Sequence, residues 1–160
     1  AMPLTAVTER LQPESLYDRF RRYRESLGMH VVPLTGGAQP PAAVLKAHLH
    51  AGHMVVLLAD RNLAGSGIEV SLCGRRTILP SGPALLATQT DALLITLEQY
   101  FTPHGWQLKF HPPIAVPSEG RLRARVITAT EQVAHEFSGF IAENPVDWHM
   151  MQPVWPDLVA

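Results

Sequence analysis

Three histidines, His48, His50 and His53, form an H-x-H-x-x-H arrangement, and imidazole is the commonest metal ligand in proteins. On a helix, however, each residue turns by about 100°, so His48 and His50 face nearly opposite ways. His53 lies beyond Gly52, a helix stop. The spacing fits no zinc pattern, and no metal site is expected. Asp60-Arg61 is the second candidate. The pair follows the apolar run Met54–Ala59, and ligands of open α/β sheets gather at the carboxyl ends of strands. A carboxylate there can orient a histidine or hold a polar substrate; equally, it can be a loop acid paired with Arg61. Ser66, in Gly65-Ser66-Gly67, lacks the glycines two residues either side that a nucleophile elbow requires. No glycine-rich phosphate motif is present. Ser81-Gly82 opens a predicted helix, where free N–H groups can meet an anion.

The other charged features are Glu9-Arg10, a run of arginines at Arg19, Arg21, Arg22 and Arg24, and a second basic group at Arg121, Arg123 and Arg125. A solvated face with pairs such as Asp18–Arg22 accounts for the arginine run. An apolar and basic helix can also meet anionic lipid.

The elements that must position these residues follow from periodicity. Leu16, Phe20, Tyr23 and Leu27 make one apolar stripe, predicting a helix over Glu14–Leu27 between Pro13 and Gly28. Met29–Leu34 reads as a strand ending at the Gly36-Gly37 loop, and Pro41–Ala51 as a helix. The continuous run Met54–Ala59 predicts a strand covered on both faces. Further on, Ile68–Leu72 and Thr77–Leu79 are expected strands. Ser81 is the expected N-cap of a helix through Thr90. Ala92–Leu97 and Trp106–Phe110 read as strands joined at Pro103–Gly105. Arg123–Ala142 is the last helix, with Val126, Val133, Phe137, Phe140 and Ile141 inward. Helices alternating with strands predict a single α/β domain over residues 1–160, with a largely parallel central sheet flanked by helices.

Composition sets outer bounds. The 160 residues are 46% hydrophobic and 17% charged, an ordinary globular balance. Thirteen basic and fourteen acidic residues give a formal charge of −1, which argues against a nucleic-acid partner. Cys73 is the only cysteine, so no internal disulfide can form. No apolar run approaches the ~20 residues of a membrane span.

Several segments together resemble a known family. They are Thr8-Glu9-Arg10-Leu11, Pro13-Glu14-Ser15-Leu16-Tyr17, Tyr23-Arg24-Glu25-Ser26-Leu27-Gly28, and Pro33-Leu34-Thr35-Gly36-Gly37. Asp60-Arg61, Ser66-Gly67-Ile68-Glu69-Val70, and Pro80 with Gly82-Pro83-Ala84 and Leu86-Ala87 continue the likeness. It ends with Asp147-Trp148-His149-Met150, Gln152-Pro153 and Trp155. In these the chain resembles the actinobacterial phosphatidylinositol mannoside acyltransferases, within the wider lipid A lauroyl acyltransferase family.

The resemblance implies the carboxyl-terminal part of a glycerolipid-acyltransferase-like fold. It implies transfer of a long acyl chain, usually palmitoyl, from acyl-CoA as co-substrate to a mannose hydroxyl of a phosphatidylinositol mannoside or related glycolipid. It implies no bound cofactor. It also implies a peripheral enzyme on an anionic membrane surface, at the cytoplasmic face of the plasma membrane. The family's H-x4-D signature is absent, since no histidine here is followed by aspartate five positions on. The resemblance therefore implies a portion lacking the catalytic histidine, inactive alone, with open surfaces that favour self-association. A non-catalytic lipid- or partner-binding module is the alternative. Residue by residue, the resemblance assigns Glu9 to the catalytic centre and Arg24 to a buried site or an anion contact. It assigns Asp60 to the charge relay behind the missing histidine, where the family has Glu, and Arg61 to substrate binding. Cys73 becomes a packing residue.

Overall fold

A computed structural model of the chain describes residues 2–62 and 65–155. The chain divides into two compact units, Ala1–Leu58 and Ala59–Ala160.

The first unit is built on a parallel sheet. Its central strand, β1 (Leu4–Thr8), pairs with β2 (Met29–Pro33) on one side and β3 (Met54–Val56) on the other. β1 has no sequence signal of its own. Five residues with two threonines make a weak pattern, and pairing on both sides supplies what propensity does not. Helices α1 (Glu14–Ser26) and α2 (Pro41–His50) form the crossovers, as expected, and Tyr17, Val32 and Leu45 are buried.

Two expectations fail here. β3 ends at Val56, and Leu57, Leu58 and Ala59 separate it from Asp60. It is an edge strand, with Met54 and Val56 exposed, not one covered on both faces. A continuous apolar run reports a demand for cover, not its presence. The same holds for α1, where Leu16, Phe20, Tyr23 and Leu27 are all exposed and Tyr17 is the buried residue. Asp18, Arg21 and Arg24 are half-buried. Asp18 pairs with Arg21 at 3.4 Å, not with Arg22, and Arg21 also holds Glu25.

The second unit contains two antiparallel hairpins, so the sheet content of the chain is less parallel than expected. Strands β4 (Ile68–Leu72) and β5 (Arg75–Leu79) meet at a two-residue turn, Cys73-Gly74, where both residues have positive φ (51° and 78°). That geometry matches the right-handed twist of a hairpin. Cys73 is therefore an exposed turn residue, not a packing residue. Its N–H donates to Ser138 Oγ at 2.9 Å, docking the turn on α4 (Leu122–Glu143). Val70 and Leu79 pack on Ala134, and Ala84 of α3 (Gly82–Thr90) packs with Val126 and Ala129 of α4. Ala129 and Ala134, not Phe140 and Ile141, make the buried seam, because small side chains let the helix approach closely. Ser81 precedes α3 without a capping hydrogen bond.

The other hairpin joins β6 (Leu97–Thr102) and β7 (Gly105–Phe110). The expected strand at Ala92–Leu97 is instead an irregular segment with one bridge, Leu94 to Ile114. The register Leu97↔Phe110, Gln99↔Leu108, Phe101↔Trp106 puts five large apolar residues on one face, and all are exposed. The opposite face carries Glu98, only 5% exposed. Asn144 donates to it at 2.8 Å, while Lys109 and His111 approach at 3.5 and 3.3 Å. No described helix is long and apolar enough to cross a membrane.

Two glycines test this packing in opposite directions. A Cβ on Gly67 would lie 2.1 Å from the backbone oxygen of Leu79. Gly67→Ala should therefore destabilise the second unit by about 1–3 kcal/mol. A Cβ on Gly139, exposed in α4, meets nothing within 4 Å. Gly139→Ala should stabilise by about 0.5–1 kcal/mol. Urea unfolding of both variants measures the two signs.

Candidate functional site

The second unit gathers residues from distant parts of the sequence around Asp60. The indole N–H of Trp148 donates to Asp60 Oδ2 at 3.0 Å. Trp155 stands edge-on to Trp148, with ring centroids 5.9 Å apart, and donates its own N–H to the Leu72 carbonyl at 3.1 Å. The Thr77 hydroxyl donates to the Val154 carbonyl. Arg75 lies 5.5 Å over the Trp155 ring. The segment after the short 3-10 helix Pro145–Asp147 is thus pinned across the β4–β5 hairpin. Asp147 itself accepts the Phe101 N–H at 3.2 Å.

Between this segment and the hairpin lies a cleft of about 180 Å³, lined by Asp60, Arg61, Thr77, Met150, Gln152 and Pro153 among others. Asp60 and Arg61 are therefore brought together in one cleft. They do not pair with each other. Asp60 is bonded to Trp148, and among the described residues Arg61 makes no ion pair. Sites for drug-sized ligands start at roughly 300 Å³, so this cleft suits a small polar group rather than an acyl chain. Asn62 shapes its entrance, accepting the Gly65 N–H at 3.0 Å and donating to the Ser66 carbonyl at 3.1 Å. A wider hollow of about 400 Å³, lined by Pro112, Ile114, Gln132 and His135 among others, had no sequence signal.

Glu9 and Arg24 belong to the first unit. Glu9 follows β1 directly, at the carboxyl edge of the parallel sheet, and is exposed. Beside it the Thr8 hydroxyl is buried without a partner among the described residues. Arg10 is the organiser there. Its Nε donates to Glu14 at 3.1 Å and its Nη1 to the Gly36 carbonyl at 3.1 Å, joining the start of α1 to the loop after β2. Glu14 raises the Arg10 pKa further above its ordinary value by hydrogen bonding and charge. The sequence marked Arg10 only as a neighbour of Glu9.

Arg24 is half-buried rather than buried, with its guanidinium 5.7 Å over the Phe20 ring. It sits in the last turn of α1. Ten helical residues separate it from Glu14, roughly 15 Å of axis. Glu9 and Arg24 are therefore not neighbours in one site.

The histidines behave partly as expected. His50 points away, but His48 and His53 come together with His30 at the amino edge of the sheet. Among the described residues no group of His, Cys, Asp or Glu is arranged to hold a metal ion.

Comparison with known proteins adds the rest. The family model described as bacterial lipid A biosynthesis acyltransferase matches residues 1–156. The chain is 44% identical over 153 residues to a phosphatidylinositol mannoside acyltransferase of Mycolicibacterium smegmatis, covering 96% of this chain and 49% of that protein. It is 44% identical over 151 residues to a protein of the same name from Mycobacterium tuberculosis H37Rv, covering 94% of this chain and 46% of the relative. The chain thus spans about half the length of the curated relatives it matches.

The Trp148–Asp60 bond can be tested alone. Trp148→Phe keeps a large ring against Trp155 but removes the donor. It should destabilise by about 1–2 kcal/mol, toward the low end for a hydrogen bond to a charge because Asp60 is only half-buried. Urea unfolding followed by the remaining tryptophans reads this directly.

Proposed function

Because the chain belongs to the bacterial lipid A biosynthesis acyltransferase family, we propose that it serves to move a long-chain acyl group, palmitoyl, from acyl-CoA to a mannose hydroxyl of a phosphatidylinositol mannoside. The observation that carries this reading is the 44% identity to proteins of that name over nearly the whole chain.

The reaction needs a base to take the hydroxyl proton. The sugar oxygen then attacks the thioester carbonyl, the C–S bond breaks, and the proton goes to the departing thiolate. We assign the base to a histidine in the part of the relatives' length that this chain does not span. None of the eight histidines here stands five residues before an aspartate. Asp60 is assigned to orient that imidazole and stabilise its charged form. Trp148 supports the assignment by fixing Oδ2 and leaving Oδ1 for the ring. Arg61, in the same cleft, is assigned to the polar part of a substrate. Glu9, at the carboxyl edge of the parallel sheet, is placed at the catalytic centre. Arg24 is assigned to an anion, because it lies on the helix with the open apolar stripe.

We place the protein peripherally on an anionic membrane, at the cytoplasmic face. In support, α1 exposes Leu16, Phe20, Tyr23 and Leu27 together with Arg19 and Arg22. An apolar stripe flanked by arginines suits the headgroup boundary. The same open surfaces favour self-association of the 160 residues by themselves. For those residues alone one observation, the absent H-x4-D pair, favours binding without turnover.

Acyl transfer by a protein of the relatives' full length tests the assignment. Asp60→Asn should keep the circular dichroism spectrum and lower transfer by about 10²-fold or more. Asp60→Glu should retain much of the rate. The 160-residue chain alone should show none. Wild-type turnover in the folded Asn variant would end the relay role. Turnover by the 160 residues alone would overturn the assignment of the base.

Vesicle flotation tests the membrane role. Binding should be stronger to anionic than to neutral vesicles and should weaken as salt rises. Each arginine near the surface contributes about 1 kcal/mol, which salt screens. Arg19→Gln with Arg22→Gln should reduce binding by roughly tenfold or more on the same figures. Equal binding to both vesicle types would refute it.

A further inference from the structure

The H-x-H-x-x-H segment does not enter the proposed reaction, yet the fold gives two of its histidines a third partner. His48, near the end of α2, His53, just before β3, and His30, on β2, form a triangle. Their ring centroids are 5.3 Å (His30–His48), 4.9 Å (His30–His53) and 4.7 Å (His48–His53) apart. At its base is Thr5 of β1, 0% exposed. Its Oγ1 lies 2.8 Å from Nδ1 of His48 and 3.3 Å from Nδ1 of His53.

A threonine hydroxyl has a single proton. One of the two rings must therefore accept the hydroxyl proton while the other donates its own N–H to the oxygen. Charging both rings would make both Nδ1 atoms donors. The Thr5 hydroxyl could then donate to neither ring.

Among the described residues no carboxylate acts on the His48 ring. The elements packed against α2 are β1, β2 and β3. Their titratable groups are His30 alone, and α2 adds only Lys46, His48 and His50; the connection to β3 adds His53. None of these elements carries a carboxylate; α1, which packs against β2, carries Glu14, Asp18 and Glu25 with Arg19, Arg21, Arg22 and Arg24, and its three carboxylates are held by Arg10 and Arg21. The carboxyl end of α2 attracts one positive ring, but it does nothing to relieve repulsion once a second ring is charged. Burial, and then His53 and His30, hold the His48 imidazole below the ordinary histidine range.

We propose that His48 and His53, bridged by Thr5 and flanked by His30, form an acid-sensitive latch that holds α2 and β3 against β1 at neutral pH and releases them on acidification. The sign follows from linkage. Above about pH 6.5, the ordinary histidine value, the His48 ring is neutral in the folded and opened chain alike, and the latch is fully closed. As pH falls below that value, the unfolded or opened state takes protons first. Stability of the amino edge drops until the folded His48 ring is charged as well.

Amide hydrogen exchange on the full 160-residue chain tests this, at pH 7.5 and 5.5, with rates corrected for intrinsic chemistry. Amides of residues 29–31 and 48–56 should lose about tenfold or more in protection at pH 5.5, one factor of ten for each pH unit across which the opened state binds one more proton. Those of β4 and β5 should be unchanged. His30→Gln removes one of the two neighbouring charges at an exposed position. It should raise the His48 titration midpoint, read by NMR, and it should shrink the acid effect several-fold. Equal protection at both pH values, a loss spread evenly over both units, or a His30→Gln variant identical to wild type would each overturn the latch.

Discussion

An indole is a large apolar ring with one N–H that must find an acceptor once it is covered. Trp148 and Trp155 meet that requirement by reaching back 88 and 83 residues, one to the Asp60 carboxylate and the other to the Leu72 carbonyl. The residues between them have almost no regular structure. The two bonds, with the Thr77 hydroxyl on Val154, are what hold that segment across the hairpin. The cleft, its lining by Met150, Gln152 and Pro153, and the orientation of Asp60 all depend on them. A carboxylate that would otherwise choose among solvent and cations is instead fixed by a neutral donor, which leaves its charge available.

The first unit rests on a different constraint. A short central strand, β1, is stabilised by pairing on both sides, and its two ends carry opposite chemistry. At the carboxyl end Arg10 ties α1 to the loop after β2, and Glu9 stands beside it. At the amino end two imidazoles, His48 and His53, share one hydroxyl, and His30 lies beside them. The first arrangement strengthens with charge, because Arg10 and Glu14 are opposite in sign. The second works only while its members are neutral.

Both units also sort residues by face with no described cover on the apolar side. The stripe of α1 and the outer face of the β6–β7 hairpin each expose several large hydrophobic residues in register. On the hairpin, Phe101 and Trp106 lie 4.0 Å apart, stacked across the strands. Contiguous apolar surface of this kind marks contact with another surface rather than with water. On α1 the neighbouring arginines give that surface a preferred charge.

Much of this was legible in the sequence. The helices at α1 and α4 and the strand Ile68–Leu72 followed from apolar periodicity, because a helix or strand declares by its period which face wants burial, and α2 followed from the proline at its start and Gly52 beyond its end. Asp60-Arg61 and the tryptophan-bearing segment near the end were both visible as motifs. Periodicity does not say what covers a face, so the apolar stripe of α1 and the run at Met54–Ala59 were expected inside, and the stripe and Met54, Val56 and Leu58 of the run are found exposed. β1 was missed because its stability comes from neighbours, not from its own residues. Arg10 and Glu98 were missed because their partners, Gly36 and Asn144, are 26 and 46 residues away. His50 was correctly set apart from His48 by helical geometry, but no local rule could bring in His30 from another strand. Residue types and their period are local properties. Which Asp receives a Trp, and which two histidines share one proton-bearing oxygen with a third beside them, is decided only when distant segments are packed against each other.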